Sequence, residues 1–342
     1  MQLTYSEADL MQDHPDLQPH VILGQRVHGG FDASGTYRPP RAYVREPALD
    51  AWAQALEDRG GEVFPADSSL LDGVRVVGVD RQRVLLRNGL GRWFWDQLTV
   101  TGKIEARGRL LADVDFPDLQ PVIVDDISEM AIGHLGRGLL VAHGIDEGGQ
   151  PDIGIGGHDV MWFLARDLAF GEETYPDAEP PENIGRPDAG TRYMPELPQG
   201  IEGLISLLAN LLIIEFRAEL GFAEAQAILR SSDVFVDRRS EAELAAEIIE
   251  RIRTDELIHV RSLCVYLGEL RSVTFRTDGG GTVSGRELID RFWDGMVRWA
   301  TVDQPALNAE RVRAEVDACI ATHPDAPRVR AEFAAAAAGP LS

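Results

Sequence analysis

Between Gln199 and Leu270 the sequence carries two long apolar-periodic stretches joined by a short polar turn, which limits the fold more than any other feature. Apolar residues at three- and four-residue steps predict one helix from about Gln199 to Arg230 and another from Glu241 to about Leu270. Ser240, with Glu243 three residues on, has the spacing of a capping box for the second. Helices joined by so short a turn pack antiparallel. Glu215 follows the apolar run Leu211-Leu212-Ile213-Ile214 directly. A carboxylate placed there must be paired, protonated or ligating, because burying it alone is costly. In the middle of the second helix stands Asp255-Glu256-Leu257-Ile258-His259. Glu256 and His259, three apart, project to one side, where a carboxylate and an imidazole can share one metal ion. Glu215 lies about 16 residues before the turn and Glu256 about 16 after it, so a rise of about 1.5 Å per residue sets them at one height. Glu219, one turn from Glu215, is the alternative partner, and Glu202 is out of phase and reads as surface.

From Pro121 the period is already helical. DDISEMAIGHLGRGLLVAHG predicts one helix, and GHDVMWFLARDLAF a second after a Gly-rich turn. Residues 176–199, with Pro176, Pro180, Pro181, Pro187, Pro195 and Pro198, predict an extended connection. Residues 1–118 read as mixed and β-rich. HVILGQRV, PRAYVRE, GVRVVGVD, QRVLLRN and WDQLTVTG are short segments dense in β-branched residues, and GVRVVGVD with RVLLRN has the form of a hairpin. One amphipathic helix is expected there, from about Ala48 to Leu56. Downstream, Ser284 and Glu287 form another capping box before GRELIDRFWDGMVRWA, and the tail reads as an alanine-rich helix. The expected class is α+β, with an N-terminal mixed β-rich domain (1–118), a helical domain (119–275) and a C-terminal helical extension (276–342).

Composition narrows function by exclusion. With 33 basic and 56 acidic residues, the formal charge is −23, which argues against nucleic-acid binding and against an anionic membrane surface. Lys103 is the only lysine. The longest apolar stretch, Leu204 to Ile214, is far shorter than the roughly 20 residues that span a bilayer. The acidic start MQLTYSEADLMQDHPD lacks the form of a signal peptide, and Cys264 and Cys319 outline no disulfide framework, so a cytoplasmic location is expected.

A Glu on one helix followed by an acid-preceded Glu-x-x-His on the next resembles the second half-site of the ferritin-like di-iron carboxylate superfamily. There, each half of a four-helix bundle contributes a Glu and a Glu-x-x-His. Glu215, Glu256 and His259 match that motif, and the long 176–199 connection is similar too. The resemblance covers about 120–275. It implies a ferritin-like four-helix bundle, and an O₂-activating oxidoreductase acting on a small organic substrate. It also implies iron, as two ions or one; carboxylate and imidazole without thiolate suit Fe or Mn, with Zn as another fit. His158–Phe170 has no Glu-x-x-His, so Glu129 and His134 are the candidate ligands of the first half, with Glu172 or Glu173 as further candidates. Glu129 also has capping-box spacing from Asp126, and His134, between Gly133 and Gly136, also suits helix packing. No catalytic residue is assigned.

Two other classes fit. His158-Asp159, with His134 or His143 before it and Asp255 after, is similar to the metal site of the HD phosphohydrolases, although Asp159 stands where an N-cap belongs. A metal-storage or structural protein is the other, with a ferritin cage disfavoured by the N-terminal segment and by Trp293 and Trp299. A small-molecule substrate is expected, and a homodimer is compatible.

Overall fold

The computed structural model describes residues 3–74, 77–182, 184–186 and 190–336. The chain opens with a short helix α1 (Glu7–Leu10) and an antiparallel sheet of β1 (Gln18–Ile22), β2 (Gln25–Phe31) and β3 (Tyr37–Arg38). Helices α2 (Ala42–Asp58), α3 (Val79–Arg87) and α4 (Arg92–Gly108) follow, then α5 (Leu140–Gly148) and α6 (His158–Phe170). The long pair is α7 (Gln199–Arg230) and α8 (Arg239–Ser272). A small hairpin, β4 (Thr274–Arg276) and β5 (Thr282–Ser284), precedes α9 (Gly285–Arg298), α10 (Gln304–Ala321) and α11 (Ala326–Ala335). Among the described residues, no helix is long and apolar enough to cross a membrane.

The class is α+β, but the N-terminal segment is mostly helical. HVILGQRV is a hairpin and not a single strand, because Leu23 (φ 48°) and Gly24 (φ 82°) make a two-residue turn of the kind that matches strand twist. PRAYVRE lies in α2, which starts earlier than expected and contains Pro47. The expected hairpin around Arg81-Gln82 is α3, although Arg75 and Val76 lie outside the described residues. WDQLTVTG lies within α4, where Phe94, Trp95, Leu98, Thr99, Gly102 and Glu105 are buried at helical spacing. Packing against α6 outweighs the β propensity of Thr99, Val100 and Thr101.

The helix expected through DDISEMAIGHLGRGLLVAHG is broken. A short 3-10 turn (Ala131–His134) and a distorted turn precede α5, with Gly138 at φ 122°. Gly138 sits against α1, where an added Cβ would lie 3.2 Å from Leu10. Helix α6 and helix α7 keep their expected limits. The described part of 176–198 is free of helix and strand, and Pro187 lies outside the described residues. Helix α8 starts at Arg239 because the 3-10 turn Val236–Arg238 runs straight into it; Ser240 then bonds Glu241 and makes no capping box. Ser284 does cap α9 by position, without a side-chain bond. Glu202 is buried and not on the surface, accepting the N–H of Met194 at 3.0 Å and pinning that loop. The alanine-rich tail is helical through Ala335, and residues 337–342 lie outside the described part.

The segments on either side of residue 118 share their cores. Ile22, Val27, Phe94 and Leu98 pack with Trp162, Phe222 and Ile249, while Leu49 and Trp52 join Leu212, Leu263 and Leu267. The α5–α6 turn is a tight junction. Gly157 lies so close to Gly149 that a Cβ on it would fall 2.3 Å from the Gly149 nitrogen. Gly156 exchanges backbone bonds with β2, from its N–H to Arg26 and from the His28 N–H to its carbonyl. Gly157→Ala should therefore destabilise the fold by about 1–3 kcal/mol, the usual range for forced overpacking. Urea denaturation measures this, and an unchanged midpoint would mean that the turn relaxes freely.

Candidate metal centre

Five helices converge on one buried polar volume. Helix α4 supplies Glu105, α5 supplies His143 and Glu147, the first residue of α6 is His158, α7 supplies Glu215, and α8 supplies Glu256 and His259. All seven are buried. His143 and Glu147 share a face of α5 by i,i+4 spacing, as Glu256 and His259 do on α8 by i,i+3. The Gly-rich turn brings His158 back alongside Glu147, with its Nδ1 at 3.8 Å from the Glu147 carboxylate.

These side chains form two groups able to hold a metal ion, each with its ligand atoms within 4.8 Å of one another. His143, Glu147, Glu215 and His259 make one; Glu105, Glu147, His158 and Glu256 make the other. Glu147 belongs to both. Glu256 also spans them, with Oε1 at 3.0 Å from His158 Nδ1 and Oε2 at 2.8 Å from His259 Nδ1. Glu215 Oε1 lies 3.1 Å from His143 Nε2 and 3.9 Å from His259 Nδ1. The rings of His143 and His259 are stacked, with centroids 3.9 Å apart.

The electrostatics match a site built for cations. Burial, then the charge of Glu147, pushes the Glu105 carboxyl well up; burial, then Glu256, pushes Glu215 to about 8. Burial also opposes charge on Glu256, and Glu147 adds to that, yet His259 and His158 pull it down to about 2. Burial disfavours charge on His158 and His259, but the surrounding carboxylates together outweigh it, Glu256 first, with Asp255, Glu105 and Glu147 at His158 and Asp146 and Glu147 at His259, holding the two rings toward the protonated form. Protons thus stand where cations would satisfy the same carboxylates. The buried Glu147 Oε1 and His158 Nδ1 make no well-aligned hydrogen bond, although His259 Nδ1 lies 3.1 Å from the first and Glu256 Oε1 3.0 Å from the second, as is compatible with ligand atoms facing a cation position.

Two further carboxylates fix the imidazoles. His259 Nε2 lies 3.1 Å from Asp146, whose carboxylate is also bonded by Arg41 and Arg45, at 2.6 Å from Arg45. Burial opposes charge on Asp146, but the two guanidinium groups hold it well below the usual carboxylate range. His158 Nε2 lies 3.3 Å from Asp255 Oδ2, which also accepts the Tyr37 hydroxyl at 2.9 Å and faces His28 at 3.3 Å. Such carboxylate–histidine contacts set which ring nitrogen faces the metal.

The structure brings Glu215, Glu256 and His259 together and leaves Glu129 and His134 outside, a correction to the first half-site. Glu129 is exposed in a turn, and the break at Gly138 separates both residues from α5. His134 is buried, but its Nδ1 faces the Met130 carbonyl at 2.8 Å and its Nε2 accepts the Tyr5 N–H. Glu172 and Glu173 are exposed where α6 ends. Asp255 does not pair with His259, and Asp159 Oδ1 accepts the Val160 N–H at 2.7 Å and joins neither group. Tyr266 is a buried core residue, as is Cys264, whose thiol burial pushes to about 12. Glu105, Glu147 and Asp146 are the residues that sequence reasoning missed. The signal for Glu147 was the His143-x-x-x-Glu147 spacing just before Gly148-Gly149.

Asp146 supplies the prediction of this site. Asp146→Ala leaves the buried Arg41 and Arg45 without their carboxylate, and should cost about 3–5 kcal/mol of stability. Chemical denaturation reads the loss; a change within error would show that the two arginines find other partners. Comparison with protein-family models, with curated proteins and with solved structures gives no significant match to this chain.

Proposed function

We propose that this protein is a ferritin-like non-haem metal enzyme, an oxidoreductase holding two ions, iron foremost, and acting with O₂ on a small organic substrate. The observation that carries the reading is the pair of buried groups sharing Glu147. Four glutamates, Glu105, Glu147, Glu215 and Glu256, carry the charge that balances two divalent cations, and three histidines complete the donors. Oxygen and nitrogen donors without thiolate favour Fe or Mn, with Zn as an alternative. Bound iron would supply the electrons that reduce O₂.

The chain's own residues do the rest. Glu147 and Glu256 span the two groups and hold them at a fixed separation. Asp146 and Asp255 orient His259 and His158, so that each presents Nδ1 inward. The flanking apolar residues, Ile213 and Phe216 on α7 and Ile252 on α8, are fully buried and exclude bulk water. A phosphohydrolase of HD type would need Asp159 beside His158 as a ligand, and Asp159 is engaged at the start of α6 instead.

Elemental analysis of the purified chain tests the reading. Iron or manganese should be present at about two ions per chain, and His259→Ala and Glu147→Gln should lose most of it while helicity persists. Because metal binds the native state only, the melting temperature should rise with Fe²⁺ or Mn²⁺ and fall with chelator. A chain free of metal whose melting ignores both additions would end the enzyme assignment.

A further inference from the structure

Glu105 faces two ways. It belongs to the metal-binding group with Glu147, His158 and Glu256, and it also lines a cavity of about 680 Å³ bounded by α4, α7, α10 and the Trp299–Asp303 turn. That volume is in the range of pockets that enclose a small organic molecule. The walls are largely apolar, with Leu98 and Ile104 on α4, Trp162 on α6, Ile214 and Phe222 on α7, and Trp299. Ile214 and Phe222 stand about two turns apart on one face of α7, so that the face next to the Glu215 face is turned to the cavity.

Two cations, Arg217 and Arg311, stand within this lining. The guanidinium of Arg217 lies over the Trp299 ring, 4.8 Å from its centroid, and donates to the Ile184 carbonyl at 3.4 Å. Glu224 and Arg311 also line the cavity, and Arg217 is the cation held in its wall by an aromatic ring. A guanidinium edge matches a carboxylate in both charge and shape.

We infer that this cavity is the substrate pocket of the metal centre, and that it takes an apolar small molecule bearing one carboxylate. The carboxylate rests on Arg217 and the apolar body runs along Ile104, Ile214 and Phe222 toward Glu105. This assignment rests on the metal-centre reading, so its test reads metal and ligand separately.

Octanoate and octanol are titrated calorimetrically into the full chain, with elemental analysis of every sample. The wild-type chain should hold metal and bind octanoate more tightly than octanol. Arg217→Gln should weaken octanoate about tenfold or more, leave octanol unchanged and keep its metal. Ala218→Trp, which fills the cavity, should lose both ligands and keep its metal; Ala225→Leu serves the same purpose should that chain misfold. A metal-loaded wild-type chain that ignores octanoate would overturn the pocket and leave the centre standing. So would octanoate binding that Arg217→Gln does not weaken, or that survives in a folded, cavity-filled variant. Octanoate binding by a chain without metal would instead remove the centre, and with it the pocket's assignment to one.

Discussion

Repulsion between carboxylates held away from water is the constraint around which this molecule is arranged. Glu105, Glu147, Glu215 and Glu256 sit in two overlapping groups, and all four are buried. Like charges at such distances in a low dielectric keep protons or gather cations. Glu105 and Glu215 are driven toward the protonated form, and the three imidazoles stand between the acids. A helical framework can carry such a load because its backbone bonds are internal, leaving the inward side chains free to answer one another.

The first quarter of the chain does more than cover this site. Arg41 takes a left-handed backbone conformation (φ 50°), rare for a residue with a side chain, and its N–H is held by Asp13 while its guanidinium reaches Asp146. Such local strain persists only where surrounding bonds fix it. Tyr37 and His28, from the small sheet, meet Asp255 on the far side of His158. The sheet and α2 therefore hold the acids that hold the histidines.

Much of the helical half was legible from periodicity. The limits of α6 and α7 follow from an apolar repeat too long to suit a strand, and Glu215, Glu256 and His259 stood out as acids and an imidazole out of place on apolar faces. Glu105 was hidden because Leu98-Thr99-Val100-Thr101 has strand-like composition, while its helical spacing becomes plain only beside α6. His143 and Glu147 were overshadowed by a helix expected to be continuous through Gly138. Its positive φ could not be read locally, since contact with α1 is what demands it. Glu129 and His134 were chosen on that continuous helix and fell with it.

Tyr37 and Asp255 meet across 218 residues of chain, and Arg41 reaches Asp146 across 105. Contacts so distant in sequence close late, because the entropy of the intervening loops must be overcome before they are made. During synthesis the buried cluster of histidines and glutamates stays incomplete until α8 has been made and has packed against α6 and α7. An ion bound there would meet a finished receptor and would not direct the collapse of the chain, the reverse of a small zinc module that is unfolded without its metal.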